Sequence, residues 1–305
     1  MLKYKESNIK ERIVMKKISK DNCIYAMSPN NKPVLHVSPG EQFQFETLDA
    51  FAGQVTSVDT EFSGLDWSRI NPATGPAYVD GAEPGDILSV RIDKIEVASQ
   101  GTVVCGKDMG ATGALLDRHA IKIMPIVGDM AHFSDTIHLP LNKMIGVIGT
   151  APKDEEIPCG SPGFHGGNMD CKEIEEGVTL LLPVNVPGAL LAMGDLHAVM
   201  ADGESGISGL EVSGTVTVTV DIIKGKSWPL PMLVNDTHTM TLASHEDLDI
   251  AVEMAVANMV KYLTGEGFDQ YDAVMLISLV GDVQICQVVD PLKTIRVAFP
   301  RKYLK

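Results

Sequence analysis

The sequence predicts a mainly β protein, with a β-sandwich or barrel-like core over about residues 21–230 and an α+β part over about 231–305. Three observations carry that prediction. Several segments alternate apolar and polar residues with period two. Clusters of Gly and Pro separate them at short intervals, and only one segment, late in the chain, repeats apolar residues at helical spacing. The 305 residues, 45% hydrophobic and 21% charged, suffice for one large domain or two intimately packed ones and exclude a disordered polymer. No linker divides residues 21–305, which therefore read as one unit. Residues 1–20 read as a basic, poorly ordered extension, with seven Lys or Arg against two Glu.

The elements follow in chain order. Residues 41–47 (EQFQFET) alternate, with Phe43 and Phe45 on one face, after the turn Pro39-Gly40. The turn Glu83-Pro84-Gly85-Asp86 starts a second strand, in which Leu88, Val90, Ile92 and Lys94 oppose Ile87, Ser89, Arg91 and Asp93. Residues 177–194 are 18 in a row without a charge, yet Pro183, Asn185, Pro187 and Gly188 interrupt any helix there. We read them as two buried strands, 178–182 and 189–193, joined as a hairpin, and expect no membrane span. Residues 212–222 form the clearest half-buried strand, with Val216, Val218 and Val220 on one face and threonines on the other. A helix is expected over 244–263, capped by Ser244 with Asp247 three residues on, with Leu248, Ala251, Val252, Ala255, Met259 and Leu263 in its apolar stripe. Residues 274–280 and 295–299 complete the set as strands.

Charge and cysteine usage narrow the function. Acidic residues outnumber basic ones 40 to 25, for a net charge of −15, so a phosphate backbone would repel the chain. Aromatic residues are 5%, too few for base-stacking platforms, and no nucleic-acid partner is expected. Five cysteines, an odd number at wide spacing without a CxxC pair, indicate neither a disulfide framework nor a zinc knuckle. The expected compartment is a reducing one, the cytoplasm. Residues 1–20 also lack the apolar run of a signal peptide.

Chemistry-bearing residues are densest between Pro162 and Glu211. There lie PGFHGGNMD (162–170), GDLHA (194–198), Asp202-Gly203-Glu204 and Glu211. The expected hairpin would bring Asp170 beside Asp195 and His197, and the i, i+2 spacing of the latter two puts both on one face of a strand. Two carboxylates and an imidazole are a mixed oxygen and nitrogen set that suits Zn²⁺ and leaves a position open for water. Glu204, in a glycine-flanked loop, is then the candidate general base. Turn aspartates also cap backbone N–H groups, so the spacing leaves that blander reading open. A second reading makes Cys171 a nucleophile with His165 or His197 as its base, against the alternative of a buried structural thiol. A third is a non-catalytic β-sandwich module for carbohydrate or small polar ligands, against which two Trp and six Tyr are few.

The segments ETLDAFAGQ (46–54), TGPAYVDGAEPGD (74–86), IGVIGTAP (145–152), 162–170, 194–198, 202–204 and LVGDVQICQVVDP (279–291) resemble the acetamidase/formamidase family in its shorter form. GGNMD, GDLHA and DGE at these separations are the specific part. The resemblance implies metal-assisted hydrolysis of a small aliphatic amide to carboxylate and ammonia, a β-rich fold and a homodimer or larger homo-oligomer. It places Asp170, Asp195 and His197 as metal ligands, with Glu211 as a further ligand or base and Glu204 as the general base. It also points to Asn168, His165 and Asp49 as substrate-binding or supporting residues. The implied cofactor is a divalent ion, zinc first, with room for a second such as calcium. Two departures flank Glu204. Met200 stands where many relatives carry Gln, and Gly206-Ile207-Ser208 replaces a Cys-Gly-Thr-like run.

Overall fold

A computed structural model describes residues 15–304. Two large sheets face each other. The nine-stranded sheet runs, in spatial order, through Lys16–Ile18, Gln42–Thr47, Gly214–Ile223, Ile87–Val97, Thr179–Pro183, Met232–Val234, His238–His245, Lys293–Pro300 and Asp282–Gln287. The eleven-stranded sheet is centred on Leu191–His197, which pairs with Met144–Gly149, Glu211–Val212 and Ala73–Val79. Phe43, Phe45, Val90 and Val218 of the first sheet pack with Ile145, Ile148, Met193 and Leu196 of the second in the principal core. The mainly β sandwich with a mixed C-terminal part is what the alternating segments predict.

Local chemistry explains the elements, and five expectations need correction. Within Ile87–Val97, Ile92 pairs with Val218 but Lys94 pairs with Thr217, so Asp93 is the extra residue of a β-bulge. The buried set therefore shifts from Ile92 to Ile95, and Lys94 is exposed rather than sharing a face with Ile92. The expected hairpin does not exist. Thr179–Pro183 pairs with Ile87–Val97 and Met232–Val234 in the first sheet, whereas Leu191–His197 belongs to the second. Gly188, Ala189 and Leu190 all take positive φ, and there the chain crosses between layers instead of doubling back. Both strands are apolar on both faces because each is covered on both sides, and such runs do not reveal their partners.

The strand expected over 212–222 is likewise two. Glu211–Val212 lies in the second sheet and Gly214–Ile223 in the first, the chain changing layers at Ser213. Gly214 permits the change, because a Cβ there would collide with the carbonyl oxygen of Glu96. At the C-terminal end, helix α1 spans Leu248–Gly265 and helix α2 spans Gln270–Val280. The cap of α1 is Asp247, which accepts from the N–H groups of Asp249 and Ile250; Ser244 is inside a strand, its hydroxyl paired with that of Thr294. The strand expected over 274–280 is the second half of α2, opened by Asp269 accepting from Tyr271 and Asp272 N–H. An apolar VMLISLV run carries no periodicity, and the aspartate before it was the informative residue.

Both helices cover Ile295, Val297 and Phe299, forming a second core. The basic extension expected over 1–20 falls mostly outside the described residues; within it, Lys16–Ile18 is a strand parallel to Gln42–Thr47. Among the described residues no helix is long and apolar enough to cross a membrane.

Candidate functional site

The site is assembled by strand pairing around Gly146. Its carbonyl accepts from the N–H groups of Met169 and Asp170, 3.1 and 3.4 Å away, which fixes the chain leaving Gly166–Asn168. On its other side Met144–Gly149 runs antiparallel to Leu191–His197, Ile145 facing Leu196 and Val147 facing Gly194, so that Asp195 comes opposite residue 146. A side chain at 146 would strike Asp170 Oδ1 and lie 3.0 Å from Asp195 Oδ2. Asp170 and Asp195 thus converge as expected, through an intervening strand and not through a hairpin. Glu211 pairs directly across from His197 on the neighbouring strand and shares its face. Glu204 arrives on the loop between these strands, with Oε1 held by Gly209 N–H at 2.9 Å.

Four carboxylates surround one imidazole nitrogen. His197 Nε2 lies 3.0 Å from Glu211 Oε2, 3.5 Å from Asp195 Oδ1, 3.7 Å from Asp170 Oδ1 and 3.9 Å from Glu204 Oε1. All five side chains are buried. Asp170 Oδ1, Asp195 Oδ1, Glu204 Oε2 and Glu211 Oε2 accept no hydrogen bond. Burial, then the charge of Asp290, pushes Asp170 well above the usual carboxylate range. Glu204 is raised by burial and by Asp170, and Glu211 by burial and by Asp195. Burial alone would lower His197, but the charges of Glu211 and Asp195 outweigh it and hold the imidazole well above its ordinary value. Buried, unpartnered carboxylates at this density require either protons or a cation. The ligand atoms form two overlapping sets, Asp170, Asp195, His197 and His197, Glu204, Glu211, each with its atoms within 4.8 Å of one another. The donor set fits a divalent cation. His197 Nδ1 faces the thioether of Met200 at 3.2 Å, and a proton on Nδ1 leaves the Nε2 lone pair directed at the acids, the tautomer a metal ligand needs.

A cavity of about 160 Å³ opens onto these groups. It is lined by the polar Asp170, Asp195, His197, Glu204 and Glu211 with Asn168 and Asp290, and by the apolar Phe51, Phe62, Trp67, Val104, Met109 and Ile207. Nine non-glycine residues among those described have positive φ, and five of them, Asn71, Asp170, Asp195, Glu204 and Ile207, line this cavity. Backbone strain of about 1–3 kcal/mol per such residue concentrates where surrounding structure enforces a particular side-chain direction.

Other expected residues have different fates. Asn168 lines the cavity; its Nδ2 donates to Asp290 at 2.9 Å and its Oδ1 is buried without a partner. Asp49 does not line it. Its carboxylate accepts from Phe51 and Gly53 N–H and so shapes the turn that presents Phe51. His165 is fully buried with neither ring nitrogen hydrogen-bonded, so it does not orient a ligand through one, and burial lowers its pKa to about 4. The Cys171 nucleophile is set aside. Its thiol is buried in the principal core and does not line the cavity. Burial would raise that thiol, but contact with Cys286 and the charge of Arg296 lower it, with no imidazole involved.

Asp290 was missed. It is held well above the carboxylate range by burial and by Glu204, and its loop is fixed by Gln287 Oε1, which accepts from Val289 and Asp290 N–H. Asp290 lies in the segment 279–291 that carries part of the family likeness, but no spacing to another acid or imidazole marks it there. The apolar wall had no local signal, since it draws on segments far apart in the chain.

The chain has clear relatives. A profile of the Acetamidase/Formamidase family matches residues 16–159 and 157–302. A crystal structure of an acetamidase from Bacillus halodurans is 45% identical, with a TM-score of 0.93 over 94% of this chain and 98% of that one. The acetamidase of Yersinia enterocolitica is 28% identical, with a TM-score of 0.91 over 97% and 94% of the two chains. A formamidase of Methylophilus methylotrophus is 23% identical over 82% of this chain and 81% of its own length. With the fold, the motif positions and the matched profile in agreement along nearly the whole chain, the protein belongs to the Acetamidase/Formamidase family and is an amidohydrolase of that family.

Proposed function

We propose that the chain hydrolyses a small linear amide, of the formamide or acetamide type, to carboxylate and ammonia with the help of a divalent ion held by Asp170, Asp195, His197 and Glu211. The observation that carries this reading is the ring of four buried carboxylates around His197 Nε2, each with one oxygen that has no hydrogen-bond partner. Imidazole with carboxylates suits Zn²⁺, and the second, overlapping set through Glu204 leaves room for another ion such as Ca²⁺. When bound, such an ion polarises the amide carbonyl and acidifies water.

The remaining work falls to the chain. Glu204 takes the proton from the attacking water and delivers it to the departing nitrogen, which otherwise leaves poorly. Its Oε1 is anchored on Gly209, so Oε2 is free for that exchange. Asn168, with Nδ2 tied to Asp290, turns Oδ1 to accept an N–H of the substrate carboxamide. Residues 48–71 and 104–109 supply the wall that excludes bulk water. Membership of an amidohydrolase family removes the reading as a non-catalytic binding module. We place the protein in the cytoplasm, in keeping with its five free cysteines. A homo-oligomer is part of the proposal. The edge strand Asp282–Gln287, whose outer side is engaged by Gly203 only at its C-terminal end, and the adjoining exposed Tyr271, Met275 and Leu279 of α2 favour it, since an apolar edge of this kind is normally covered.

Asp195→Ala tests the core of the proposal. The variant is expected to lose ammonia release from formamide and acetamide by more than a hundredfold and to retain less metal on elemental analysis. Undiminished turnover would remove Asp195 from the site.

A further inference from the structure

We infer that formamide and acetamide are the poorer substrates of this site, and that the amide turned over best by the same reaction is a carboxamide with an apolar acyl group well beyond acetyl, branched or aromatic and of about four to seven carbons. This rests on the amidase reading above and specifies the substrate of the same cavity. The first argument is size. The cavity measures about 160 Å³, and a cavity of about 150 Å³ accommodates benzene. Formamide and acetamide, with three and four non-hydrogen atoms, would sit beside the acids and leave the rest to water.

The second argument is what the rest is made of. Phe51, Phe62, Leu65 and Val104 form a small buried cluster separate from the principal core, with Ile70, Met109 and Ile207 packed against it. Most of its members line the same cavity as the carboxylates. This satellite core is separate from the cluster that joins the two sheets, and it gives a polar site an apolar wall. Trp67 extends the wall, its ring tilted against Phe62 at 5.9 Å between centroids and half exposed to solvent. Ile207 contributes a β-branched side chain from a backbone at φ 95°, a conformation such residues avoid. An apolar group is thus placed against the cavity at a conformational cost. A substrate that covers this wall removes both its own apolar surface and the wall's from water. Each buried methylene is then worth roughly a fourfold gain in kcat/KM.

The test is ammonia release by the metal-loaded protein from formamide, acetamide, isobutyramide, benzamide and phenylacetamide. We expect kcat/KM to rise from acetamide to isobutyramide by at least fivefold and to be highest for an aromatic amide. In Trp67→Ala the benzamide-to-formamide ratio should fall at least fivefold, a ratio that partial unfolding would leave unchanged. A profile that peaks at formamide or acetamide, or a ratio unmoved by Trp67→Ala, overturns the inference and leaves the amidase reading intact. Silence across the whole panel, formamide included, overturns the amidase reading on which the inference stands.

Discussion

A methyl group on residue 146 would press on Oδ1 of Asp170 and lie 2.9 Å from the carbonyl oxygen of Asp195. Glycine is required there for space and not for backbone freedom, since the chain passes through as an ordinary strand. Gly146→Ala should therefore separate the two carboxylates while leaving the sheets formed. We expect metal content and amide turnover both to fall at least tenfold, with the far-ultraviolet dichroism spectrum unchanged; normal metal content would show that the acids need not converge there. At the same scale, the residues most legible in the sequence were those with chemistry in their side chains. Asp170, Asp195, His197, Glu204 and Glu211 were all singled out and all meet. Asp49 and His165 have the same kinds of side chain, but one carboxylate is engaged by a turn and one imidazole is enclosed without partners. Residue type marks candidates, and only the neighbours decide which of them has a free lone pair.

At the scale of elements, α1 shows how a correct helix can be given the wrong start. Ser244 and Asp247 both fit a cap, and Asp247 wins because Ser244 is already committed to the ladder with Lys293–Pro300. Asp247→Ala should cost about 1 kcal/mol and lower the melting temperature by about 2 °C. Ser244→Ala should leave helix stability alone, because its hydroxyl bonds Thr294 and not the helix. Equal losses in thermal melts of the two variants would contradict this division. The same limit of local pattern appears at 178–193 and 212–222. Alternation and apolarity identified strands there, but not the sheet each one joins or the layer change at Ser213.

At the scale of the whole molecule, the buried acids make stability depend on cation and pH together. Without a cation, Asp170, Glu204, Glu211 and Asp290 are all held above the ordinary carboxylate range, so the folded chain binds more protons than the unfolded one. Stability then falls as pH rises from about 4 through those raised values. His197 acts in the same direction. Its raised pKa contributes stability in full below about 6.5, and that contribution is lost as pH rises through the folded value. A divalent cation replaces those protons and reverses the penalty. The melting temperature of chelator-treated protein should therefore drop between pH 5 and pH 8, and the gain on adding Zn²⁺ should widen over the same interval, with proton release on binding. A gain independent of pH would show that the acids are not displaced from their protons by the ion.

By itself the sequence determined the class of fold, the identity of the acids and imidazole, and the family to which they belong. Period-two alternation, turn residues and short motifs are local properties, written within ten residues of one another. The tertiary structure alone decided that Asp170 and Asp195 meet across Gly146, that Asp290 joins them, and that Phe51, Val104 and Ile207 form one wall. Those relations depend on which strands pair and which loops fold over the sheet. Pairing is selected by burial summed over the whole core, a quantity no short stretch of chain contains.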